Sequence, residues 1–115
     1  MARRETAGLS ELLERHVRAF NHGVRSGEWE PMLTLFADDA DLRFENVTAG
    51  PFHGLEEIRA AYRDQPPDDE IALLGVQEDG EHTVTAAFAW AKGGTGRIVL
   101  VEERGLVQSL TVVFD

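Results

Sequence analysis

His16 and Tyr62 are the two side chains whose types and positions first suggest chemistry. His16 falls on or beside one face of a helical segment carrying Leu9, Leu13, Val17, Phe20 and Val24. Tyr62 falls on the apolar face of a later helix with Leu55, Ile58 and Ala61. An imidazole hydrogen-bonded to a phenol at the base of an apolar pocket can donate to a carbonyl or enolate. A histidine titrating near neutrality can also serve as a base. The same spacing fits a plainer role, a satisfied, half-buried histidine packed under a sheet.

Carboxylates come next. Asp38, Asp39 and Asp41 are close in sequence, and the simplest account is a solvated turn whose side chains accept backbone N–H groups. Glu45 alternates with Phe44, so if Phe44 points inward Glu45 points outward, unless a bulge reverses the register. Glu45 is the first reserve acid and Glu102 the second. Asn46 shares the face of Phe44 and is placed to supply one polar contact at a pocket mouth. His53, before Gly54, reads as a loop residue near a helix N-terminus, and His22 and His82 read as exposed. The four histidines lack the close paired spacing of a metal site. Gly93-Gly94-Thr95-Gly96 joins two strands and lacks a following helix and a G-K-[ST] ending, so it is not a phosphate loop.

The elements that must position these groups fit one domain of 115 residues, with enough apolar content for a core. A first helix starts at Leu9 and ends between Gly23 and Gly27, with Glu11–Arg15 and Glu14–Arg18 as i,i+4 pairs. Residues 1–8 read as loose. A second helix is expected over Glu28–Phe36, opened by Pro31 in its first turn, and Ala37-Asp38-Asp39-Ala40 forms its exit. From Asp41 the period changes to two. Thr48–Gly54 is a loop or short bridging strand, and Leu55–Asp64 a third helix stopped by Pro66-Pro67. Four strands follow, over Ile71–Gln77, His82–Ala91, Arg97–Glu103 and Leu106–Phe114, and the first turn carries the Asp79-Gly80 hairpin signal. Helices followed by a meander make an α+β fold, one curved antiparallel sheet wrapped on three helices with an apolar pocket between.

The net charge of −10 repels phosphate backbones and anionic membranes, and Arg3-Arg4 is a lone basic pair. Neither nucleic acid nor membrane is an expected partner. The chain has no cysteine, which removes disulfides, thiolate nucleophiles and thiolate ligands. MARRETAG is basic but lacks the apolar segment of a secretory signal, so the cytoplasm is the expected compartment.

Three segments carry a family resemblance: FNHGVRSGEWEPMLTLFADDADLRF, GPFHGLEEIRAAY and GLVQSLTVVF. They resemble the nuclear transport factor 2-like superfamily, nearest its SnoaL-like and ketosteroid-isomerase-like branches, from about Leu12 to Phe114. The resemblance implies a cone with an apolar pocket at its open end, and a homodimer through the outer sheet face. It also implies a carboxylate base on the first strand, where Phe44 stands here. The oxyanion donor of the first helix is matched by His16 and its supporting aromatic hydroxyl by Tyr62. A second acid would fall around Val99 to Val101. Epoxide-hydrolase-like relatives need an acid where Val112 stands.

Phe44 and Val112 cannot remove a proton, so ordinary steroid isomerisation and epoxide hydrolysis are not expected. What remains is a cofactor-free, metal-free pocket for a small apolar molecule. Proton transfer, isomerisation or cyclisation of a carbonyl compound is one reading; the alternatives are a non-catalytic binding protein and a dimerisation or regulatory module. The expected lining is Phe20, Phe36, Phe44, Asn46, Ile58, Trp90, Leu110, Val112 and Phe114, with His16 and Tyr62 as the catalytic pair.

Overall fold

The computed structural model describes residues 8–115, so most of the segment expected to be loose, and Arg3-Arg4 with it, lies outside the described residues. Helix α1 (Gly8–Ser26) buries Leu9, Leu12, Leu13, His16, Val17, Phe20 and Gly23, a stripe at helical spacing. Its end is set by Gly27, at φ 81°, whose N–H still bonds the Gly23 carbonyl at 2.7 Å. A Cβ on Gly23 would overlap the Trp29 ring, so a glycine there lets the indole lie flat on the helix. Neither expected i,i+4 pair on α1 closes into an ion pair.

The second helix is shorter than its pattern predicts. Helix α2 is Glu30–Leu33, and Phe36 already belongs to strand β1 (Phe36–Glu45). The reason is tertiary. The Val107 N–H bonds the Leu35 carbonyl at 2.8 Å, and Phe36 pairs with Val107, pulling the chain onto the last strand before a second turn can form. The expected Ala37–Ala40 exit turn is therefore a bulged piece of strand. Between Phe36/Val107 and Asp41/Ser109 the register shifts, and the bulge lets Phe36, Ala37, Ala40 and Leu42 all be buried.

Strand β2 (Phe52–His53) pairs antiparallel with β1, and α3 (Leu55–Asp64) follows from Gly54, at φ 88°. Then come β3 (Ile71–Glu78), β4 (Thr83–Trp90), β5 (Thr95–Glu103) and β6 (Leu106–Phe114), each antiparallel to the next. The sheet order is β2-β1-β6-β5-β4-β3. Because β1 runs parallel to β6, the sheet is mixed rather than wholly antiparallel. The connection from β1 to β6 contains α3 and the other strands, so no hairpin dictates their direction.

Residues facing the helices form cross-strand layers. Val84, Leu100, Leu110 and Leu42 are in register across β4, β5, β6 and β1; Ala86, Ile98, Val112 and Phe44 form the next layer, and Phe88, Gly96 and Phe114 the third. No described helix is long and apolar enough to cross a membrane.

Candidate functional site

The first layer is filled, and the space opens above it. A cavity of about 350 Å³ lies between α1, α3 and the sheet. His16, Phe20 and Leu110 lie at its base, Ile98, Val112, Phe88, Trp90, Phe44 and Phe114 along the sheet side, and Tyr62 on the α3 side. Trp90 stacks on Phe114 with ring centres 5.7 Å apart, and Phe88 meets Trp90 edge-on at 5.2 Å. Gly96 makes this possible: a Cβ there would sit 2.6 Å from the Phe88 ring and press on the Val113 carbonyl.

His16 is 3% exposed and meets Phe36 edge-on at 5.2 Å. Its Nδ1 is buried with no hydrogen-bond partner among the described residues, an uncommon condition for a buried polar atom. Burial lowers its pKa to about 4, so the ring is neutral at pH 7. The expected bond from His16 to Tyr62 is not formed. Tyr62 packs instead on Trp29, with ring centres 5.0 Å apart, and burial raises the pKa of its hydroxyl. Both side chains line the cavity as separate polar points, each placed by its own helix.

Six of the nine residues expected along the lining are there: Phe20, Phe44, Trp90, Leu110, Val112 and Phe114. Phe36 and Ile58 are not; both belong to the packed core, at 3% and 0% exposure. Asn46 is also elsewhere. It leaves the strand at φ 73°, and its amide donates to the Phe114 carbonyl at 2.7 Å, tying the end of β1 to the end of β6. The strand alternation that placed it beside Phe44 has ended by then.

Neither reserve carboxylate reaches the cavity. Glu45 is exposed and in register with Val113, on the opposite face from Phe44 and Val112. Glu102 accepts the Gly105 N–H at 2.7 Å and faces His82 Nδ1 at 3.0 Å, holding the β5–β6 turn. The Gly105 N–H lowers the Glu102 pKa, and Glu102 raises that of His82. His53 is exposed, 2.6 Å from Asp41, whose carboxylate raises its pKa.

The acids that do line the cavity are Asp68 and Asp69, at its mouth with Pro67 and Ile71. In the sequence only Pro66-Pro67 is assigned a role here, as a helix stop, and Asp68 and Asp69 are assigned none. The Lys92 N–H bonds Asp69 Oδ2 at 3.0 Å, and Lys92 Nζ lies 3.6 Å from the exposed Asp68 carboxylate. Asn21 places the segment: its amide brackets Ile71, donating to the carbonyl and accepting from the N–H, both at 2.9 Å. The polar type of Asn21 on an otherwise apolar turn of α1 was the available signal. Among the described residues, neither lysine nor arginine lines the cavity.

Comparisons agree with this architecture. Bal32a, from a soil-derived mobile gene cassette, superposes with a TM-score of 0.75 at 22% identity, over 95% of this chain and 90% of that one. A nuclear transport factor 2-like protein of unknown function from Burkholderia pseudomallei gives 0.73 at 17%, over 92% and 89%. A provisionally named ketosteroid isomerase from Kribbella flavida gives 0.65 at 19%, over 91% and 78%. At these identities the likeness is one of fold. No curated protein matches the sequence. The fold of this chain is that of the nuclear transport factor 2-like proteins; the SnoaL-like domain model matches residues 14–114, nearly the whole described chain, and the protein belongs to the SnoaL-like domain family.

Proposed function

We propose that the protein binds a small, neutral, mainly apolar molecule carrying one hydrogen-bonding oxygen, such as a ketone, with His16 as the polar anchor. The observation that carries this reading is the neutral, buried imidazole at the base of an aromatic-lined cavity, with one ring nitrogen unpaired. An apolar cavity on the order of 150 Å³ holds benzene, so about 350 Å³ takes a larger body of a few rings or a folded chain. A carboxylate or phosphate ligand is disfavoured, because the mouth carries Asp68 and Asp69 and the lining has no cation.

Binding is favoured over turnover. A base with a pKa of about 4 is poorly matched to removing a proton beside a carbonyl, and Phe44 and Val112 are inert. The test is calorimetric titration with neutral ketones against wild type and His16→Leu. Saturable wild-type binding, weakened about three- to tenfold in the variant, is expected for a lost hydrogen bond; equal affinities would remove His16 as anchor. Asp69 carries the catalytic alternative, because it is a half-buried carboxylate in the lining. Deuterium uptake at the ketone α-carbon, lost in Asp69→Asn, would establish proton transfer and overturn a binding-only role.

The expected homodimer is retained as a proposal. Thr85, Val99 and Thr111 are in register on the side facing away from the cavity, with Ala87, Ala89, Val101 and Val113 around them, and Arg97, exposed between Ala87 and Val113, puts a positive charge into this largely uncharged patch. Val113 is buried yet stands apart from the main core cluster, as an outer-face residue should. Light scattering at the dimer mass, falling to the monomer in Val99→Lys, is the expected result; a monomeric wild type would refute it.

A further inference from the structure

The main cavity has a neighbour. A smaller chamber of about 180 Å³ lies under the β1–β2 connection, bounded by Leu42, Val47, Ala49, Phe52, Ala61 and Gln65. Four residues line both spaces: Phe44, Tyr62, Pro67 and Phe114. They form the partition between them.

The four are not held equally. Tyr62 is 6% exposed and packed on Trp29. Phe114 is stacked on Trp90 at 18° between ring planes. Pro67 belongs to the backbone of the segment that Asn21 clamps a few residues on. Phe44 is half-buried, as Phe114 is, but meets its aromatic neighbours only at wider spacing, Phe52 at 6.3 Å and Phe114 at 6.2 Å, with no stacked partner like the Trp90 ring on Phe114. Its looser ring packing makes it the candidate within the partition for movement by a rotamer change, and both spaces it separates are lined mainly by carbon.

We propose that the small chamber is a second subsite of the same binding site, accepting an unbranched apolar tail, and that Phe44 determines how far a ligand reaches into it. This rests on the ketone-anchoring reading above: the oxygen sits at His16, the body fills the main cavity, and the tail runs up to Phe44, which limits its entry into the chamber. The chamber suits a tail and not a second polar head, because among the described residues Gln65 is the one side-chain amide in its carbon-rich walls. Phe44 is then a specificity residue, standing on a strand between the two spaces.

The experiment is a chain-length series of 2-alkanones, from six to fourteen carbons, titrated calorimetrically into wild type, Phe44→Ala and Phe44→Leu. Each methylene that enters an apolar subsite raises affinity roughly fourfold. Wild type should follow that rise and then level off when the main cavity is full. Phe44→Ala should extend the rise by two or more carbons, so that the longest ketones gain at least about tenfold relative to the shortest. Phe44→Leu, which keeps more of the packing, should show the same trend if the alanine variant folds poorly. Adding Ala61→Leu, which fills the chamber from α3, should cancel the gain. The same levelling point in wild type and both Phe44 variants, or a gain that survives Ala61→Leu, would overturn the proposal. If no ketone binds any of the proteins, the anchoring role of His16 falls, and n-alkylbenzenes, which need no anchor, decide the chamber alone. A chain-length gain confined to the Phe44 variants supports it, and no difference or no binding refutes it.

Discussion

Leu100 and Ile98 stand two residues apart on the same face of β5, yet they belong to different regions. Leu100 lies with Val84, Leu110 and Leu42 in a layer whose members are 0–2% exposed. Ile98 lies with Val112 and Phe44 in a layer that lines open space. Backbone pairing is continuous across both layers, so hydrogen bonding does not distinguish them. The difference is in side-chain shape. The packed layer is four branched aliphatics of similar size, in one core cluster with the fully buried Leu13 and Met32 of the helices. Beyond it, large rings stack on one another and hold the walls apart, with Gly96 making room for Phe88. A hollow can persist where the rings satisfy each other.

The largest expected effect tests the packed side. Leu100→Ala should destabilise by about 2–5 kcal/mol, the range for deleting a buried leucine that cannot be replaced by collapse, whereas Ile98→Ala should lie at the low end or below it. Urea unfolding midpoints at constant m give both. Equal losses would erase the distinction between the layers.

His16 sharpens the comparison, because it is the polar group placed between the two regions. Its folded-state pKa is depressed from 6.5 to about 4. Between those values the unfolded chain binds more protons than the folded one, so stability rises with pH across that window and falls as the solution is acidified. A depression of this size corresponds to about 3 kcal/mol by the low-pH end. His16→Leu should flatten that part of the stability–pH curve, read as the difference between the two proteins so that the carboxylates cancel. A parallel pair of curves would show that the imidazole reaches water when protonated.

Gly96 tests what keeps the cavity open. A Cβ there meets the Phe88 ring at 2.6 Å and also the Val113 carbonyl, and the backbone atom cannot swing away. Gly96→Ala should cost about 1–3 kcal/mol through overpacking and push the Phe88 ring toward the cavity. Thermal unfolding measures the first effect, and weaker ketone binding the second.

Much of this organisation was legible in the sequence where local signals and tertiary structure agree. Leu55–Asp64 was bounded correctly because Gly54 and the two prolines act locally. The Asp79-Gly80 turn and the alternation of Val84, Ala86, Phe88 and Trp90 were read for the same reason. The start of β1 was not legible. Trp29, Met32, Leu33 and Phe36 have helical spacing, and only pairing with a strand some 70 residues later takes Phe36 out of the helix. The site divides similarly. Aromatic lining follows from strand alternation, but Asp68 and Asp69 reach the mouth through the Asn21 clamp, a contact across 50 residues. Asn46 was misplaced because a single left-handed residue ends the alternation. The His16–Tyr62 bond failed because sharing a cavity does not bring two side chains within bonding distance.

The smallest expected effect on stability separates the regions most directly. Val112 and Val84 are both valines on the inner face of the sheet, one beside the cavity and the other fully enclosed. Enlarging each to phenylalanine adds the same atoms. Val84→Phe has no space to enter and should lose about 1–3 kcal/mol by forcing neighbours off their rotamers. Val112→Phe points into about 350 Å³ of space, so its ring is accommodated and its added apolar area is shielded from water. Its stability should change by less than about 1 kcal/mol, while ketone affinity falls because the ring occupies the ligand's volume. A Val112 variant as damaged as the Val84 one would mean that the hollow closes in solution. In that case aromatic side chains that line a cavity in one conformation are core in the dominant one, and the binding reading would lose its physical basis.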